Sequence, residues 1–442
     1  MDSCDGWAGE NRVWTTDLVR HTGERVRLQG WLHRLRRLSG VSFLILRDGR
    51  GLAQVVILDP AQAEQLAALN PESVLAVEGT VAAVPRAPGG AELHEPRIEV
   101  IAPADEPPPF ELFRPALTAS LPAMLDSAAV SLRHARQRAT ARLAAASLHG
   151  FRATLGAHGF VEVQTPKIVA NATESGASVF VLDYFGRPAY LAQSPQFYKQ
   201  IMVGVFERVF ETGPVFRAEP HDTARHLNEF VSLDAEFGFI ADQTAVMAVL
   251  TEVVRGMRDA VRDHAPESIG VLGLSLPDVP AEIPRLHFSE ALELISRAIG
   301  EDVTAEPDLA PAHERWLGEW AQREHGSDLL FVWGQPMVKR PFYTHPDPER
   351  PGYSYSFDLL FRGLELVTGG QRLHRYDQYL DALARIGQDP APLDGYLQAF
   401  KHGMPPHGGF AIGLERWVAR LTGAANLREV TLFPRDMHRL TP

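Results

Sequence analysis

The chain has 442 residues, more than one hydrophobic core usually serves, so we expect two or three domains. Its formal net charge of −12 argues against a general nucleic-acid coat protein, although a local basic site remains compatible with it. No apolar run is long enough to span a membrane, and residues 1–12 lack the apolar core of a signal peptide. The single cysteine, Cys4, excludes an internal disulfide. Together these features predict a cytoplasmic protein.

Residues 25–102 have the pattern of a small β-barrel. Alternating and apolar runs predict five short strands, and a helical segment at 61–69 falls between the third strand and the fourth. This order is typical of an OB fold, which commonly binds single-stranded nucleic acid through aromatic and polar side chains. An OB fold that serves as a protein adaptor is the alternative. We therefore predict an OB-fold barrel over residues 1–104 that binds single-stranded nucleic acid or serves as an adaptor.

The remainder of the chain predicts a second, larger domain. Prolines are frequent between 103 and 122, so we place a stiff linker at 105–126. A long helix from Ser127 to about His158 follows, and then a strand that ends at Pro166. From there helical and β segments alternate to the end, which predicts an α+β domain at 127–442 built on an antiparallel β-sheet flanked by helices. Residues 264–350 show no pattern that we can assign.

Three segments of this domain carry phosphate-binding chemistry. Segments 217–219 and 225–230 predict a strand, a polar loop and a return strand, and 408–416 predicts a glycine-rich strand that runs into a helix. Arginine forks suit polyphosphates, and a purine ring can stack between Phe230 and Arg416. The alternative is a charged surface hairpin with an unrelated glycine-rich turn.

The segment 356–372 combines acids with apolar residues. Asp358 and Glu365 can converge on a strand–turn–strand, and two carboxylates in an apolar sheet need a cation, which a nucleotide's Mg²⁺ supplies. Arg372 has no acid beside it in the sequence, which favours a carboxylate ligand. The alternative is an internal ion pair between Arg372 and Asp358 or Glu365.

Two further segments predict contacts to a small zwitterion. Gln196 and Lys199 are three positions apart at the start of a predicted helix, so they face the same side and can hold a small carboxylate. A capped surface helix is the alternative. Glu174 lies in a loop of small residues and can close over a ligand to meet an ammonium group, whereas a solvated loop glutamate is the alternative.

In this order the segments resemble the signature motifs of the class II aminoacyl-tRNA synthetases: motif 1 at about 140–166, motif 2 at about 210–236 and motif 3 at about 408–420. Nearly the whole chain is similar to the compact, archaeal-type aspartyl-tRNA synthetases, because no large insertion separates motifs 2 and 3. The resemblance implies a homodimer formed through motif 1. It also implies a ligase that uses ATP and Mg²⁺ to convert L-aspartate to aspartyl-adenylate and then charges tRNA(Asp).

The resemblance implies roles for individual residues. The catalytic residues would be Arg217, Glu365 and Arg416, with Arg217 and the Mg²⁺ held at Glu365 stabilising the charge on the α-phosphate. The substrate aspartate would contact Glu174, Gln196, Lys199, Arg217, Thr368 and Arg372. ATP would contact Arg217, Ala218, Glu219, Arg225, His226, Leu227, Phe230, Glu365, Gly413, Leu414, Glu415 and Arg416. Mg²⁺ would be held by Glu365, Thr368 and Asp358, with threonine at 368 where relatives usually have serine.

In the barrel, Phe43, Gln54 and Glu99 match positions that read anticodon bases, although core packing is the alternative for Phe43. His33 and Pro88 stand where discriminating relatives carry tryptophan and lysine. This pair resembles the relaxed enzymes that also charge tRNA(Asn), whose product a separate amidotransferase converts. An ordinary barrel residue and a turn former are the alternatives.

Two other functions remain open at this point. One is an asparaginyl-tRNA synthetase, which Lys199 and Arg372 disfavour. The other is a non-catalytic RNA-binding relative, which the intact set of Arg217, Glu365 and Arg416 disfavours.

Overall fold

The computed structural model describes residues 12–170, 178–220 and 222–441. The chain divides into two compact units, Met1–Ala135 and Arg136–Pro442. Each unit has its own hydrophobic core, as expected for a chain of this length. No helix within the described ranges combines the length and the apolar character that a membrane crossing requires.

The first unit contains a closed five-stranded barrel in which the strands are ordered β1-β2-β3-β5-β4. The strands are β1 (Arg25–Leu38), β2 (Val41–Arg47), β3 (Leu52–Ile57), β4 (Val74–Ala83) and β5 (Ala91–Ala102). Helix α1 (Pro60–Ala67) lies between β3 and β4; Asp59 caps it and Pro60 starts it. The OB-fold prediction is confirmed, including the position of the helix.

A β-bulge interrupts the pairing of β1 with β2. Leu32 lies opposite Leu46 and Arg34 lies opposite Ile45, so His33 is the extra residue on β1. The backbone N–H of Glu72 donates to the carbonyl of Leu32 at 2.7 Å, which ties the turn before β4 to this point. A bulge redirects the side chain of the inserted residue, so His33 leaves the regular alternation of the strand.

Two short helices, α2 (Leu121–Asp126) and α3 (Ala128–Ser131), complete the first unit before α4 (Ala135–Ala157) begins. The prediction of one unbroken helix from Ser127 is therefore wrong. The hydroxyl of Ser131 donates to the carbonyl of Met124 at 2.7 Å, a bond that competes with a continuous helix.

The second unit is built on an eight-stranded sheet with the order β12-β13-β14-β15-β16-β11-β10-β6. Its strands are β6 (Val161–Glu162), β10 (Arg208–Phe216), β11 (Glu229–Gly238), β12 (Arg285–His287), β13 (Leu329–Trp333), β14 (Ser356–Phe361), β15 (Leu364–Gln371) and β16 (His407–Gly413). A separate small sheet contains β7 (Ile168–Val169), β8 (Val181–Tyr184) and β9 (Arg187–Leu191). The predicted antiparallel sheet is confirmed for the central strands, whereas the two edge pairs β12/β13 and β10/β6 are parallel.

Helices flank this sheet, as the sequence predicts. They are α4 and then α5 (Gln196–Phe206), α6 (Gln243–His264), α7 (Pro266–Leu272), α8 (Phe288–Ile299), α9 (Pro311–His325), α10 (Tyr376–Arg385), α11 (Asp394–Lys401) and α12 (Leu414–Thr422). Leu233, Ala235 and Phe237 of β11 point into the main core with α4 and α6. Because side chains alternate along a strand, Ser232, Asp234 and Glu236 face the opposite side of the sheet, where the polar site lies.

Candidate functional site

A cavity of about 280 Å³ opens on this polar face, between motif 2, β15 and the β16–α12 junction. Charged side chains from distant parts of the sequence share it with a few apolar ones. Its lining residues are Arg217, Glu219, Arg225, His226, Leu227, Phe230, Ser232, Glu365, Leu366, Thr368, Ala411, Ile412, Gly413, Glu415, Arg416 and Leu427. The segments that the sequence singled out thus meet at one cavity.

Arg217 follows directly after β10 and extends the hairpin that β10 forms with β11. Its backbone N–H donates to the carbonyl of Asn228 at 2.9 Å, and the side-chain amide of Asn228 donates to the carbonyl of Arg217 at 2.7 Å. The guanidinium carbon of Arg217 is 5.5 Å from the centre of the Phe230 ring. These contacts place a cation and an aromatic face together at the cavity wall.

The loop after Arg217 is anchored by an acid that the sequence did not reveal. Arg225 forms an ion pair of 2.6 Å with Glu314, a buried residue of α9. The same Glu314 carboxylate oxygen accepts the backbone N–H of Glu365 at 3.0 Å. Glu314 therefore holds the motif 2 loop beside β15, and residues 264–350 do contribute to the site.

A bulge brings Glu365 and Thr368 to the same face of β15. Leu359 pairs with Val367 and Leu360 pairs with Glu365, so Leu366 is the extra residue. Without it, two residues three positions apart would point to opposite faces. Both line the cavity.

Asp358 lies beneath this pair, buried on β14 opposite Thr368. The Thr368 hydroxyl donates to Asp358 Oδ1 at 2.8 Å, and Arg340 lies 3.8 Å from the same oxygen. Burial raises the pKa of Asp358 to about 7; the charge of Arg340 opposes this shift and the Glu365 carboxylate adds to it. Nowhere in the described ranges do three or more His, Cys, Asp or Glu side chains form a metal cage.

Helix α12 presents Arg416 to the cavity and uses Glu415 to fix its own position. Arg416 donates to the backbone carbonyl of Glu365 at 3.1 Å and lies 3.3 Å from its carboxylate. Both Glu415 oxygens accept the backbone N–H of Val231, at 3.1 and 3.2 Å. Burial raises the pKa of Glu415 to about 7, so this carboxyl acts as a structural anchor between α12 and β11.

A buried charge cluster lies beside the cavity on the same face of the sheet. Lys199 Nζ is 3.1 Å from Asp234 and 3.2 Å from Glu236, and it donates to the carbonyl of Phe410 at 3.2 Å. Arg372 Nε is 3.0 Å from Glu236. The charges of Arg372 and Lys199 outweigh burial and lower the pKa of Glu236. Glu236 thus holds both cations that the sequence assigned to a substrate carboxylate.

This cluster corrects one expectation. Arg372 does have an internal acid, Glu236, which lies 136 positions away in sequence and was neither of the two acids considered. A strand neighbour is invisible from sequence adjacency, because β11 and β15 both pair with β16. The glycine at 409 follows from the same packing, since a Cβ there would overlap the Glu236 carboxylate and the carbonyl of Ala235.

A hydrogen-bonded network supports the cluster from behind. His407 Nδ1 donates to the carbonyl of Pro405 at 2.9 Å, and its Nε2 is 2.9 Å from Gln200 Nε2. Gln196 donates to Gln200 at 3.0 Å. Burial lowers the pKa of His407 to about 4, against the opposing charge of Glu236, so the ring is neutral near pH 7. Lys199, Arg372, Asp234 and Glu236 then balance in charge.

The sequence-predicted residues divide into four groups. Those at the cavity are given above, and Gln196, Lys199 and Arg372 lie in the adjacent cluster. Ala218 and Leu414 are outside the cavity lining; Leu414 packs into the main core instead. Glu174 lies outside the described residues.

Five polar residues at the site were missed by the sequence analysis: Asp234, Glu236, Glu314, Arg340 and His407. The alternation of Ser232, Asp234 and Glu236 could have revealed the first two, because three polar residues at every second position mark one face of a strand. Nothing local marked the others.

The anticodon candidates occupy different parts of the barrel. Phe43 is half-buried on β2, outside the barrel core, and Gln54 on β3 donates to Glu92 at 2.8 Å. Glu99 forms an ion pair of 2.9 Å with Arg27 on β1. Pro88 begins a short 3-10 turn before β5, which packs against the 3-10 helix Thr15–His21. His33 lies instead beside Glu72 and residues 107–113.

Comparisons with known proteins agree with this arrangement. Residues 121–437 match the family described as tRNA synthetases class II (D, K and N), and residues 26–101 match the OB-fold nucleic acid binding domain. The chain is 47% identical to the aspartate–tRNA(Asp/Asn) ligase of Thermus thermophilus over 98% of this chain and 100% of the relative. It is 45% identical to the enzyme of the same name from Deinococcus radiodurans, over 98% and 99%.

Among solved structures, the asparaginyl-tRNA synthetase of Pyrococcus horikoshii complexed with asparaginyl-adenylate is similar, with a TM-score of 0.91 and 32% identity over 98% of this chain and 100% of that one. The resemblance inferred from the motifs is therefore confirmed by sequence and by structure. The chain belongs to the class II aminoacyl-tRNA synthetases, and it is a ligase that joins an amino acid to tRNA with an N-terminal OB-fold domain.

Proposed function

We propose that the amino acid is L-aspartate and that the chain is an aspartate–tRNA ligase for tRNA(Asp) and tRNA(Asn). The observation that carries this proposal is the Lys199–Glu236–Arg372 cluster beside the nucleotide-type cavity. Two of the most similar relatives are named aspartate–tRNA(Asp/Asn) ligases, which supports the same conclusion.

Two buried cations on one side of a substrate site select for a carboxylate over an amide. A side-chain carboxylate accepts hydrogen bonds from both Lys199 and Arg372. An asparagine amide would turn its NH₂ group toward one of these donors, which leaves buried donors facing each other. Glu236 contacts both cations and so sets their separation. We assign the backbone of the amino acid to Gln196, which lies on the same helix as Lys199.

The adjacent cavity is suited to ATP. Arg217, Arg225 and Arg416 supply positive charge for the phosphates, and Phe230 supplies a ring on which adenine can stack. Glu365, Thr368 and Asp358 are oxygen donors of the kind that Mg²⁺ prefers. Mg²⁺ is usually coordinated by only one or two carboxylates together with phosphate oxygens, and these residues fit that coordination preference. When bound, the ion neutralises charge on the phosphates.

The reaction takes two steps. In the first, an oxygen of the aspartate α-carboxylate attacks the α-phosphorus of ATP; the P–O bond to pyrophosphate breaks and aspartyl-adenylate forms. In the second, the terminal ribose hydroxyl of tRNA attacks the aspartyl carbonyl and AMP leaves. Arg217 stabilises negative charge at the α-phosphate, and the site accelerates the reaction mainly by positioning and charge stabilisation.

Pyrophosphate exchange with each amino acid tests the substrate. Exchange supported by aspartate should exceed exchange supported by asparagine by at least about a hundredfold, because the site is built around hydrogen bonds to one side chain. Preferred exchange with asparagine would identify an asparaginyl enzyme. Absence of exchange with both would indicate a non-catalytic relative.

We also propose a homodimer formed by the motif 1 region. Val161 on the edge strand β6 is 39% exposed and Ile168 on β7 is 49% exposed, which is unusual for large apolar residues in a core-forming segment. Sedimentation should give twice the mass of one chain. An active species that sediments as a monomer at assay concentrations would contradict this proposal.

Our proposal of relaxed tRNA specificity rests on His33 and Pro88. They occupy positions where discriminating relatives have larger or charged side chains. Aspartyl-tRNA(Asn) formed in this way needs a tRNA-dependent amidotransferase to become asparaginyl-tRNA(Asn). Aspartylation of both tRNA transcripts, measured side by side, tests this part independently of the exchange assay.

A further inference from the structure

A second cavity, of about 290 Å³, lies in the barrel unit. Its walls come from the β1 bulge, from the turn before β4 and from residues 107–113, for which the sequence predicted only a stiff linker. His33, Glu72, Phe110 and Phe113 are among the residues that line it. Its volume is at the lower end of small-ligand sites, which begin at about 300 Å³, so it has room for one ring system.

The bulge at His33 supplies the first reason to regard this cavity as a site. Outside the bulge, β1 alternates between core residues and surface residues. The extra residue turns the imidazole out of that alternation and toward Glu72 and the 107–113 segment. Its side chain is only 10% exposed, yet it belongs to no hydrophobic core.

Two buried polar atoms facing each other supply the second reason. His33 Nδ1 and Glu72 Oε1 are 4.0 Å apart, and neither has a hydrogen-bond partner in the part of the chain that the structure describes. A buried polar atom without a partner is costly, so each is the natural partner of the other after a small rotation. Glu72 is therefore the group that can orient His33.

Glu72 remains an acceptor in this pair because cations hold its other oxygen. Arg47 lies 2.5 Å and Arg133 lies 3.1 Å from Glu72 Oε2. Burial alone would raise the pKa of Glu72, but the charge of Arg47 and its hydrogen bond to the carboxylate lower it. After a small rotation of the imidazole, His33 Nδ1 would donate to the Glu72 carboxylate, and Nε2 of that tautomer would then be a hydrogen-bond acceptor. Nε2 makes no hydrogen bond to any residue within the described ranges.

Such an acceptor suits either pyrimidine. Cytosine offers its N4 amine and uracil offers its N3–H as a donor on the Watson–Crick edge, so a single acceptor nitrogen can bond to both bases after a small shift of the ring. Phe110 provides apolar surface for that ring, as aromatic side chains do in other single-stranded RNA sites, whereas the Phe113 ring is stacked against the guanidinium of Arg34 at 4.1 Å.

We propose that this cavity takes the third anticodon base, and that Glu72 is a positioning residue that makes His33 an acceptor for both cytosine and uracil. The proposal rests on the proposed charging of tRNA(Asp) and tRNA(Asn), and it supplies a physical reason for the relaxed specificity. Aspartate-dependent pyrophosphate exchange, which needs no anticodon, reports on the proposed function separately.

A base analogue tests the acceptor with the unmodified enzyme. A tRNA(Asp) transcript that carries pyrimidin-2-one at the third anticodon position keeps the ring but offers no donor on that edge. Its kcat/KM for aspartylation should fall by about ten- to a hundredfold relative to cytosine, and this penalty should disappear with the His33→Ala enzyme. Equal charging of the analogue and of cytosine by the unmodified enzyme would overturn the proposal.

A double-mutant cycle tests the role of Glu72. In Glu72→Gln the amide oxygen stays with Arg47 and Arg133, so the NH₂ group faces His33. His33 Nδ1 then accepts a hydrogen bond from this NH₂ group, which favours the opposite imidazole tautomer. Nε2 then carries a proton, so it can bond to cytosine only at N3 and to uracil only at an oxygen such as O4, which lie at different places on the two bases. The ratio of the kcat/KM values for tRNA(Asp) and tRNA(Asn) should therefore change by about tenfold, and no such change should occur in the His33→Ala background.

Glu64→Gln is the matched control, because Glu64 is an exposed barrel glutamate that also pairs with an arginine, Arg37. It should leave the preference unchanged. If Glu72→Gln changes the preference equally with and without His33, Glu72 acts only through the fold and the positioning role is excluded.

Discussion

A buried glutamate lies among cations in both units, and the two clusters differ in what they leave for a ligand. In the catalytic unit, Glu236 contacts the two cationic side chains Lys199 and Arg372. In the barrel, Glu72 contacts Arg47 and Arg133 with one oxygen and faces the imidazole of His33 with the other. The first arrangement offers a ligand two positive charges, and the second offers a ligand one hydrogen-bonding group of fixed direction.

The difference matches the discrimination that we propose for each cluster. Aspartate and asparagine differ in charge, so fixed cations separate them strongly. Cytosine and uracil differ only in where donors and acceptors lie, so one oriented acceptor nitrogen separates them weakly. The same device, a buried glutamate that orients its neighbours, can thus support strict selection in one unit and relaxed selection in the other.

The largest effect is expected when one of the two cations that contact Glu236 is removed. Arg372→Leu should reduce aspartate-dependent pyrophosphate exchange by about a hundredfold or more, since truncating one partner of a buried charge pair costs about 2–5 kcal/mol. ATP binding, measured by equilibrium dialysis, should change little because the nucleotide cavity is lined by other residues.

Arg375→Leu is the control for Arg372→Leu, because Arg375 is an exposed arginine nearby in sequence that pairs with Asp377. It should keep full exchange activity. Unchanged exchange in Arg372→Leu would contradict the substrate assignment, and equal loss of ATP binding would show that the residue is structural.

A smaller effect is expected at the metal-type site of the same unit. Glu365→Gln should slow adenylate formation by about ten- to a hundredfold and move the Mg²⁺ titration to higher concentration, because a hard cation prefers an anionic oxygen. Burst kinetics across a Mg²⁺ series would measure both. Glu252→Gln, an exposed glutamate of α6 that pairs with Arg255, is the matched control. A normal Mg²⁺ titration in Glu365→Gln would indicate that the Glu365 carboxylate serves to position Arg416 and does not bind the ion.

The two units also differ in how far the sequence predicted them. The barrel's strand order and helix followed from alternation, and the motif 2 and motif 3 residues were marked by residue type and spacing. Partners across strands were not marked: Glu236 and Glu314 come from other strands and helices, and only folding brings them to Arg372 and Arg225. The bulges at His33 and Leu366 were equally hidden, because inserting one residue changes no composition and yet reverses a face.

Substitutions at His33 and Pro88, the two barrel positions assigned to tRNA specificity, should have milder effects. The unmodified enzyme should aspartylate tRNA(Asp) and tRNA(Asn) with comparable kcat/KM. Pro88→Lys or His33→Trp should shift the preference toward tRNA(Asp), by about tenfold, the scale of one discriminating contact. Pro115→Lys, in the exposed part of the linker, is a control for added charge. A strong preference of the unmodified enzyme for tRNA(Asp) would contradict the relaxed specificity without affecting the ligase assignment.

The smallest expected effect is on the pH dependence of stability. It distinguishes a buried glutamate that has no cationic partner, Glu415, from the buried glutamates that have one. Glu415 accepts a backbone N–H but has no cation within its described contacts, and burial raises its pKa to about 7, above the ordinary value near 4.5. Between these two values the folded chain binds more protons than the unfolded chain, so this group makes stability fall as pH rises, by at most about 1.4 kcal/mol per pH unit.

Glu415→Gln removes that titration while an amide oxygen still accepts from Val231. Thermal melting of the variant and the parent should therefore agree most closely near pH 4.5, and the variant should become relatively more stable as pH rises to 7.5. Glu252→Gln should show a constant difference across the same range, because Glu252 is half-exposed and paired with Arg255. A constant difference for Glu415→Gln would mean that its carboxyl is ionised throughout, held by a cation as Glu72 and Glu236 are.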